Sequence, residues 1–487
     1  MEFGQDTTMT AKDRRDEMPV LVVDLDKTLI RSDTLYESFW AGMAQDWRTP
    51  FKALFALTGG RAALKRHLAA CTRLDPRCLP YNEAVLDYIR NWRAQGGRAV
   101  LVTAADESLA RAIAGHLTLF DEAHGSDGKQ NLKGAHKARF IDARYGAAGY
   151  AYIGDSTADL AVWKGARKAI TVDAAPGLRR QVAALGCDSE NLSTGNTTIA
   201  YLAQLRPHQW LKNVLVFVPV LAAHSFGAAA LLSALVAFAA FSLVSSSGYV
   251  LNDLMDLQAD RAHPRKRNRP LASGRLPIAH GTAMVPLLLV SGLAIAALNG
   301  PALLGVIATY FVLTTAYSTA LKQHAVADIG TLALLYTMRI IAGGVASGVS
   351  LSVWLLAFSM FFFFSLAAIK RLAELVDLAG RGKAATARRG YLVDDLPLVA
   401  QMTTASGYIS VLVLALYLNS PAVQELYTTA WLLWGICLVL MYWISRMALV
   451  THRGQMLDDP IVYATRDRRS LVCIALMALF AVGAAVL

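Results

Sequence analysis

From about residue 209 to the C-terminus, long apolar runs alternate with short polar ones, whereas residues 18 to about 190 interleave short apolar runs with mixed segments. Apolar runs of roughly 17 to 21 residues reach about 30 Å as helices, enough to cross the hydrocarbon of a bilayer. They fall at 209–226, 230–250, 283–299, 302–320, 327–346, 351–369, 402–418, 427–446 and 470–487, and predict nine membrane spans. In the first part the runs have strand length and end in polar residues, as in Val20–Val23 and Ala99–Val102, so a soluble α/β domain is expected there. The polar stretch 188–200 reads as a linker, and the polar residues 1–17 as a disordered N-terminus.

Composition supports this division. Hydrophobic residues make up 55% of 487 residues, too many for an ordinary soluble protein of this length. The net charge of +11 sits largely between apolar segments, which points to a membrane surface and anionic substrates rather than nucleic acid. Counted from a cytoplasmic N-terminus, the loops expected inside carry 18 Lys and Arg and those expected outside carry none. The positive-inside rule then puts the soluble domain and the large loops in the cytoplasm of a bacterial-type plasma membrane, and the C-terminus outside. Five cysteines show neither metal-site spacing nor a disulfide framework.

Two parts of the chain carry candidate chemistry. Asp24 and Asp26 stand two residues apart at the end of an apolar run, where ligands bind in open α/β sheets. One such acid can attack phosphorus while the other protonates the leaving oxygen and later activates water. Thr103 closes a second run, Lys133 supplies a cation with Lys137 as its competitor, and Asp155 and Asp159 follow a third. In the membrane half, Asp253, Asp256 and Asp260 stand at i, i+3 and i+7, so on a helix they share one face. Their all-oxygen donors suit Mg²⁺ bridging to substrate phosphates. Asn252, Arg261, Lys266, Arg267 and Arg269 lie beside them, and Lys212, Tyr317 and Lys322 at span ends; all are candidate substrate contacts. Arg339 lies deep within an apolar segment, where an unpaired charge costs at least about 2.5 kcal/mol, so it is expected to face the bundle interior and meet an acid or a phosphate.

The order Asp24-Leu-Asp26, Thr103, Lys133, Asp155 to Asp159 resembles the haloacid dehalogenase (HAD) phosphatase superfamily. That resemblance implies a Rossmann-like parallel sheet over 18–187 with a helical cap at about 32–97. It makes Asp24 the nucleophile, Asp26 the acid/base, Thr103 and Lys133 phosphate holders, and Asp24, Asp26, Asp155 and Asp159 a magnesium site. Lys27 stands where many members have glycine. The pattern Asn252-Asp253-x-x-Asp256-x-x-x-Asp260 followed by Arg269-Pro-Leu-Ala-Ser-Gly274 resembles the UbiA superfamily of intramembrane prenyltransferases over about 201–487, with a second magnesium site at the three aspartates. Aromatic prenyltransferases of that superfamily carry a second pair of aspartates after the fourth span. Here the stretch 317–328 holds one acid, Asp328, and one lysine, Lys322. With Arg206-Pro-His-Gln-Trp-Leu-Lys212-Asn213, this is similar to the decaprenyl-phosphate phosphoribosyltransferase branch, which moves phosphoribose from phosphoribosyl pyrophosphate (PRPP) to a polyprenyl phosphate. The expectation is a bifunctional enzyme making and then dephosphorylating that lipid. The alternatives are a transferase using a prenyl diphosphate beside an independent phosphatase, and a lipid carrier or scaffold with a silent HAD domain.

Overall fold

The computed structural model describes residues 18–486 except 73, 127–130, 194–197, 383–388 and 457–458, so the expectation for residues 1–17 lies outside the described residues. The chain forms two compact units. One comprises residues up to Leu205 together with Tyr249–Val285, and the other comprises Arg206–Gly248 and Pro286–Leu487.

The first unit is built on a six-stranded sheet, β1 (Val20–Val23), β2 (Ala99–Asp106), β3 (Glu122–Ser126), β4 (Tyr150–Gly154), β5 (Lys168–Val172) and β6 (Asp188–Leu192). All neighbours pair in parallel, in the order β3-β2-β1-β4-β5-β6. Alternate residues serve opposite faces. Leu21, Val23, Leu101 and Ile153 pack on Val85, Ile89 and Ile113, while Val22, Val100 and Tyr152 pack on Ile141, Trp163 and Val182. A sheet covered on both faces explains why its inner strands β1, β2 and β4 read as apolar runs. The order reverses between β1 and β4, and a ligand crevice opens outside the strand ends at such a reversal.

Two sequence expectations change. Residues 188–192, taken as the start of a linker, form the edge strand β6, whose partner β5 satisfies backbone groups that a polar sequence does not advertise. The cap is shorter than 32–97: its helices are Thr34–Gln45, Thr49–Thr58 and Arg61–Cys71, whereas Glu83–Ala94 buries Val85, Leu86 and Ile89 against the sheet.

Among the described residues, eight helices are long and apolar enough to cross a membrane: Ala228–Met255, Ile278–Asn299, Pro301–Thr319, Ala327–Ser347, Val353–Gly380, Val393–Leu418, Ala430–His452 and Arg468–Val486. Leu232, Leu287, Val290 and Leu479 are each more than 60% exposed on them, as side chains that meet lipid would be. The candidate span 209–226 departs from the expectation of nine such helices. It is a 3₁₀ helix, Pro207–Phe217, followed by a short α-helix, Val218–Ala222. Pro219 lacks the N–H that would continue an α-helical ladder through this region.

Candidate active sites

At the reversal in the first unit, β1 delivers Asp24 and β4 delivers Asp155, with Asp159 on the turn that follows. One carboxylate oxygen from each lies within 4.8 Å of the others. Gly154 makes this approach possible, since a Cβ there would stand 2.9 Å from the Asp159 Oδ2. Burial, then Asp24 and Asp159, push Asp155 up to about 7. Burial likewise raises Asp24, against the pull of Lys137. Three crowded, hard-oxygen acids of this kind fit a divalent cation such as Mg²⁺. Asp26 is not one of the three. Its carboxylate accepts from the Thr34 backbone N–H at 2.7 Å and the Thr34 hydroxyl at 3.2 Å, which corrects its expected role as a carboxylate ligand. Burial and then the nearby Asp33 push it up to about 7, which suits an acid that must give and take a proton near neutrality.

The cation of this site is Lys137, not Lys133. Lys137 Nζ donates to Asp24 Oδ1 at 2.8 Å and to the Tyr152 hydroxyl at 3.0 Å, and lies 3.8 Å from Asp159. Burial works against its charge, but Asp24 and Asp159 outweigh it and hold the ammonium above its ordinary range. Lys133 is exposed, just before the helix Ala135–Tyr145, whereas Lys137 lies on the buried face of that helix. Tyr152, unremarked in the sequence, donates to Asp159 Oδ1 at 2.8 Å. Thr103 is fully buried within β2 and accepts from the Ala105 N–H at 3.0 Å. Lys27 adopts φ 58°, a conformation that glycine takes freely and other residues take at a cost.

The aspartates of the membrane half do not share one helix face. The long helix ends at Met255, Asp256 leaves helical geometry, and a short helix restarts at Leu257–Ala262. Asp253 and Asp260 are bridged by Arg269 Nη1 at 3.0 and 2.6 Å, while Asn252 donates to Asp256 and Gln204 to Asp253. The donors suit a divalent cation, but a guanidinium stands between two of them, so they are not gathered round one ion. Arg261, expected to grip phosphate, instead spends its donors on Glu37, the Ala272 carbonyl and the Cys78 carbonyl. Lys266 and Arg267 are exposed.

The second unit has its own polar clusters. Lys212 Nζ donates to Asp459 Oδ2 at 2.7 Å, and Lys370 reaches the same oxygen at 3.2 Å. Both lysines and burial act on Asp459, and the lysines prevail, holding it well below the usual carboxylate range. Neither Asp459 nor Lys370 was singled out from sequence, although an acid directly before Pro460 is a recognisable helix cap. Arg339 does face the interior. It donates to Asn213 Oδ1 at 2.9 Å, the Leu335 carbonyl at 2.5 Å and the Tyr310 hydroxyl at 3.0 Å, under the rings of Phe241, Tyr310 and Tyr336. Its recorded partners are thus an amide, a carbonyl, a hydroxyl and aromatic faces.

Residues 213–463 match the UbiA prenyltransferase family. The chain belongs to that family. Residues 21–164 match the haloacid dehalogenase-like hydrolases, so the N-terminal part is a HAD-like domain fused to the UbiA part. The uncharacterized protein y4nM of Sinorhizobium fredii is 37% identical over 484 residues, 96% of this chain and 93% of its own length. Nodulation protein NoeC of Azorhizobium caulinodans is 40% identical over 284 residues, 58% of this chain and 92% of its own. Decaprenyl-phosphate phosphoribosyltransferase of Corynebacterium glutamicum is 39% identical over 186 residues, 37% of this chain and 56% of its own.

Within the UbiA part, Asp328 is fully buried beside Arg371 Nε at 2.5 Å and accepts from the Tyr317 hydroxyl at 2.7 Å. Arg371 also pairs with Glu374, and Arg389 lies 3.4 Å from Glu374. The lone acid of the stretch 317–328 is thus ion-paired with Arg371, and Tyr317 is tied to it. Lys322 sits on the 3₁₀ turn Leu321–Gln323 nearby in sequence.

Proposed function

We propose that this UbiA-family membrane protein transfers 5-phosphoribose from PRPP to a polyprenyl phosphate, and that its HAD-like domain then removes the 5-phosphate. The reading is carried by the fusion: a phosphate-cleaving set of Asp24, Asp26, Lys137, Asp155 and Asp159 shares a chain with a transferase part whose relatives include decaprenyl-phosphate phosphoribosyltransferases.

In the first reaction a phosphate oxygen of the lipid bonds to ribose C1 while the bond from C1 to pyrophosphate breaks. Lys266, Arg267 and Lys322 serve as phosphate contacts. The aspartates Asp253, Asp256 and Asp260 provide suitable donors for a divalent cation once Arg269 yields two of them. In the second reaction Asp24 attacks phosphorus and becomes an aspartyl-phosphate, while Asp26 protonates the departing ribose oxygen. Asp26 then takes a proton from water, which releases inorganic phosphate and restores Asp24. Asp24, Asp155 and Asp159 would hold Mg²⁺, whose charge neutralises the phosphoryl oxygens. Lys137 favours the ionised form of Asp24 against its burial and holds the carboxylate in place.

The topology we propose keeps nine crossings. Residues up to Leu205 and Tyr249–Val285 share one compact unit, so the intervening chain must leave that side of the membrane and return. The 11-residue 3₁₀ helix and five-residue α-helix of 207–222 reach about 30 Å, at about 2.0 and 1.5 Å per residue. The HAD-like domain and the loop 249–285 then face the cytoplasm of a bacterial inner membrane.

Purified protein given labelled PRPP, a polyprenyl phosphate and Mg²⁺ should yield a labelled, dephosphorylated lipid, and D24N should accumulate the 5-phosphorylated form. Turnover of a prenyl diphosphate with no labelled lipid from PRPP would refute the assignment.

A further inference from the structure

The acidic loop of the UbiA part folds in the same compact unit as the HAD-like domain. Its contacts there are specific and buried. Arg261 directly follows Asp260, and its guanidinium makes a two-pronged ion pair with Glu37, 2.7 Å from Nη2 to Oε1 and 3.0 Å from Nη1 to Oε2. The two side chains are only 7% and 2% exposed. Two further donors are also used, Nε on the Ala272 carbonyl at 2.9 Å and Nη1 on the Cys78 carbonyl at 3.3 Å. One guanidinium thus ties the cap, the segment that follows it and the loop after the aspartates.

Three further contacts follow the same seam. Trp40 Nε1 donates to the Thr282 hydroxyl at 2.9 Å. Gly274 stands at φ 70°, and a Cβ there would lie 2.6 Å from the Cβ of Arg31. Tyr201 bonds His280 across the end of the loop.

What gives this seam functional weight is where Glu37 sits. The helix Thr34–Gln45 begins with Thr34, whose N–H and hydroxyl both bind Asp26, and Glu37 lies one turn further along the same helix. A rigid helical turn therefore runs from the acid/base of the phosphatase to Arg261, and from there along the peptide to Asp260. Asp260 is itself held by Arg269 together with Asp253.

We infer that the buried Glu37–Arg261 ion pair is a positioning link between the two phosphate-handling centres: it sets the Thr34 turn that orients Asp26, and it sets the Asp260 end of the transferase's acidic loop. Both residues act through others and neither touches substrate. The inference rests on the reading of Asp24 and Asp26 as the phosphatase pair. A guanidinium with all three nitrogens engaged at a buried carboxylate and two carbonyls holds orientation more strictly than an ammonium could.

The test uses the full chain in lipid nanodiscs, with p-nitrophenyl phosphate as the phosphatase probe and hydrogen exchange as a second readout. R261A, a change outside the HAD-like domain, should lower kcat for the probe about tenfold with KM changed less than twofold, as expected when a catalytic acid is misaimed. E37A should do the same, and the double variant E37A/R261A should be no worse than either single variant. E37Q, which keeps the shape, should fall between wild type and E37A. R381A, which removes an exposed ion pair with Asp377, should match wild type. R261A should speed amide exchange in 34–45, and E37A should speed it in 257–276. An unchanged kcat in R261A, additive losses, or exchange changes confined to the segment carrying the substitution would overturn the link. Should wild type fail to cleave the probe, the phosphatase reading falls, and the reciprocal exchange pattern alone decides the link.

Discussion

Replacing Lys137 by Met keeps the bulk of the buried stem and removes its charge. Lys137 Nζ lies 2.8 Å from Asp24 and 3.8 Å from Asp159. At an effective dielectric of about 20 these pairs are worth about 6 and about 4 kcal/mol before desolvation is subtracted. Much of that attraction offsets the burial of three acids and one base, so the rate effect is smaller than the Coulomb figures. Only the part that is stronger in the transition state counts, and loss of one preorganised donor of this kind costs about 3 to 4 kcal/mol, or about 10²- to 10³-fold in kcat. The assay is hydrolysis of p-nitrophenyl phosphate by K137M, K133A and wild type in nanodiscs with Mg²⁺, each checked for folding by thermal melting. K133A should stay within twofold of wild type, because its side chain is exposed before the catalytic helix begins. A loss in K133A as large as that in K137M, or K137M within threefold of wild type, would refute the assignment.

K27G should stabilise the HAD-like domain by about 1 kcal/mol, seen as a rise in Tm of about 2 to 4 °C, because it relieves a left-handed φ of 58°. An unchanged or lower Tm would show that Lys27 is held there by contacts worth more than the strain. R371M should destabilise the UbiA part by about 3 kcal/mol, since it takes from fully buried Asp328 the nearer of two cations, at 2.5 Å, and leaves Arg389 at 3.8 Å. Denaturation in detergent measures this, and a loss below about 1 kcal/mol would count against the ion pair. Chelation with EDTA should abolish probe hydrolysis and Mg²⁺ should restore it. Hydrolysis that persists in EDTA would remove the metal role of Asp24, Asp155 and Asp159.

Much of this molecule is legible in one dimension because its decisive signals are local. Strands covered on both faces must be apolar at consecutive positions, so β1, β2 and β4 stand out, and with them the acids that close them. Spans must be long and apolar because lipid solvates no backbone group, so the eight long apolar helices among the described residues stand out in sequence. The aspartate motif and the Arg269–Gly274 run are contiguous, so the family could be read from them directly. Contacts between distant segments leave no such trace. Lys133 and Lys137 stand four residues apart, and only the start of the helix at Ala135 and its packing put Lys137 on the buried side facing Asp24. Asp253, Asp256 and Asp260 have helical spacing, yet a break at Asp256 and the side chain of Arg269 separate them. Arg261 resembles a phosphate ligand in sequence, and its partner Glu37 lies 224 residues away. The chain thus determined by itself which chemistry it carries, through spacing and hydrophobic period. Which cation meets which acid was decided by tertiary structure, because an ion pair depends on a few ångströms of separation that sequence distance does not encode.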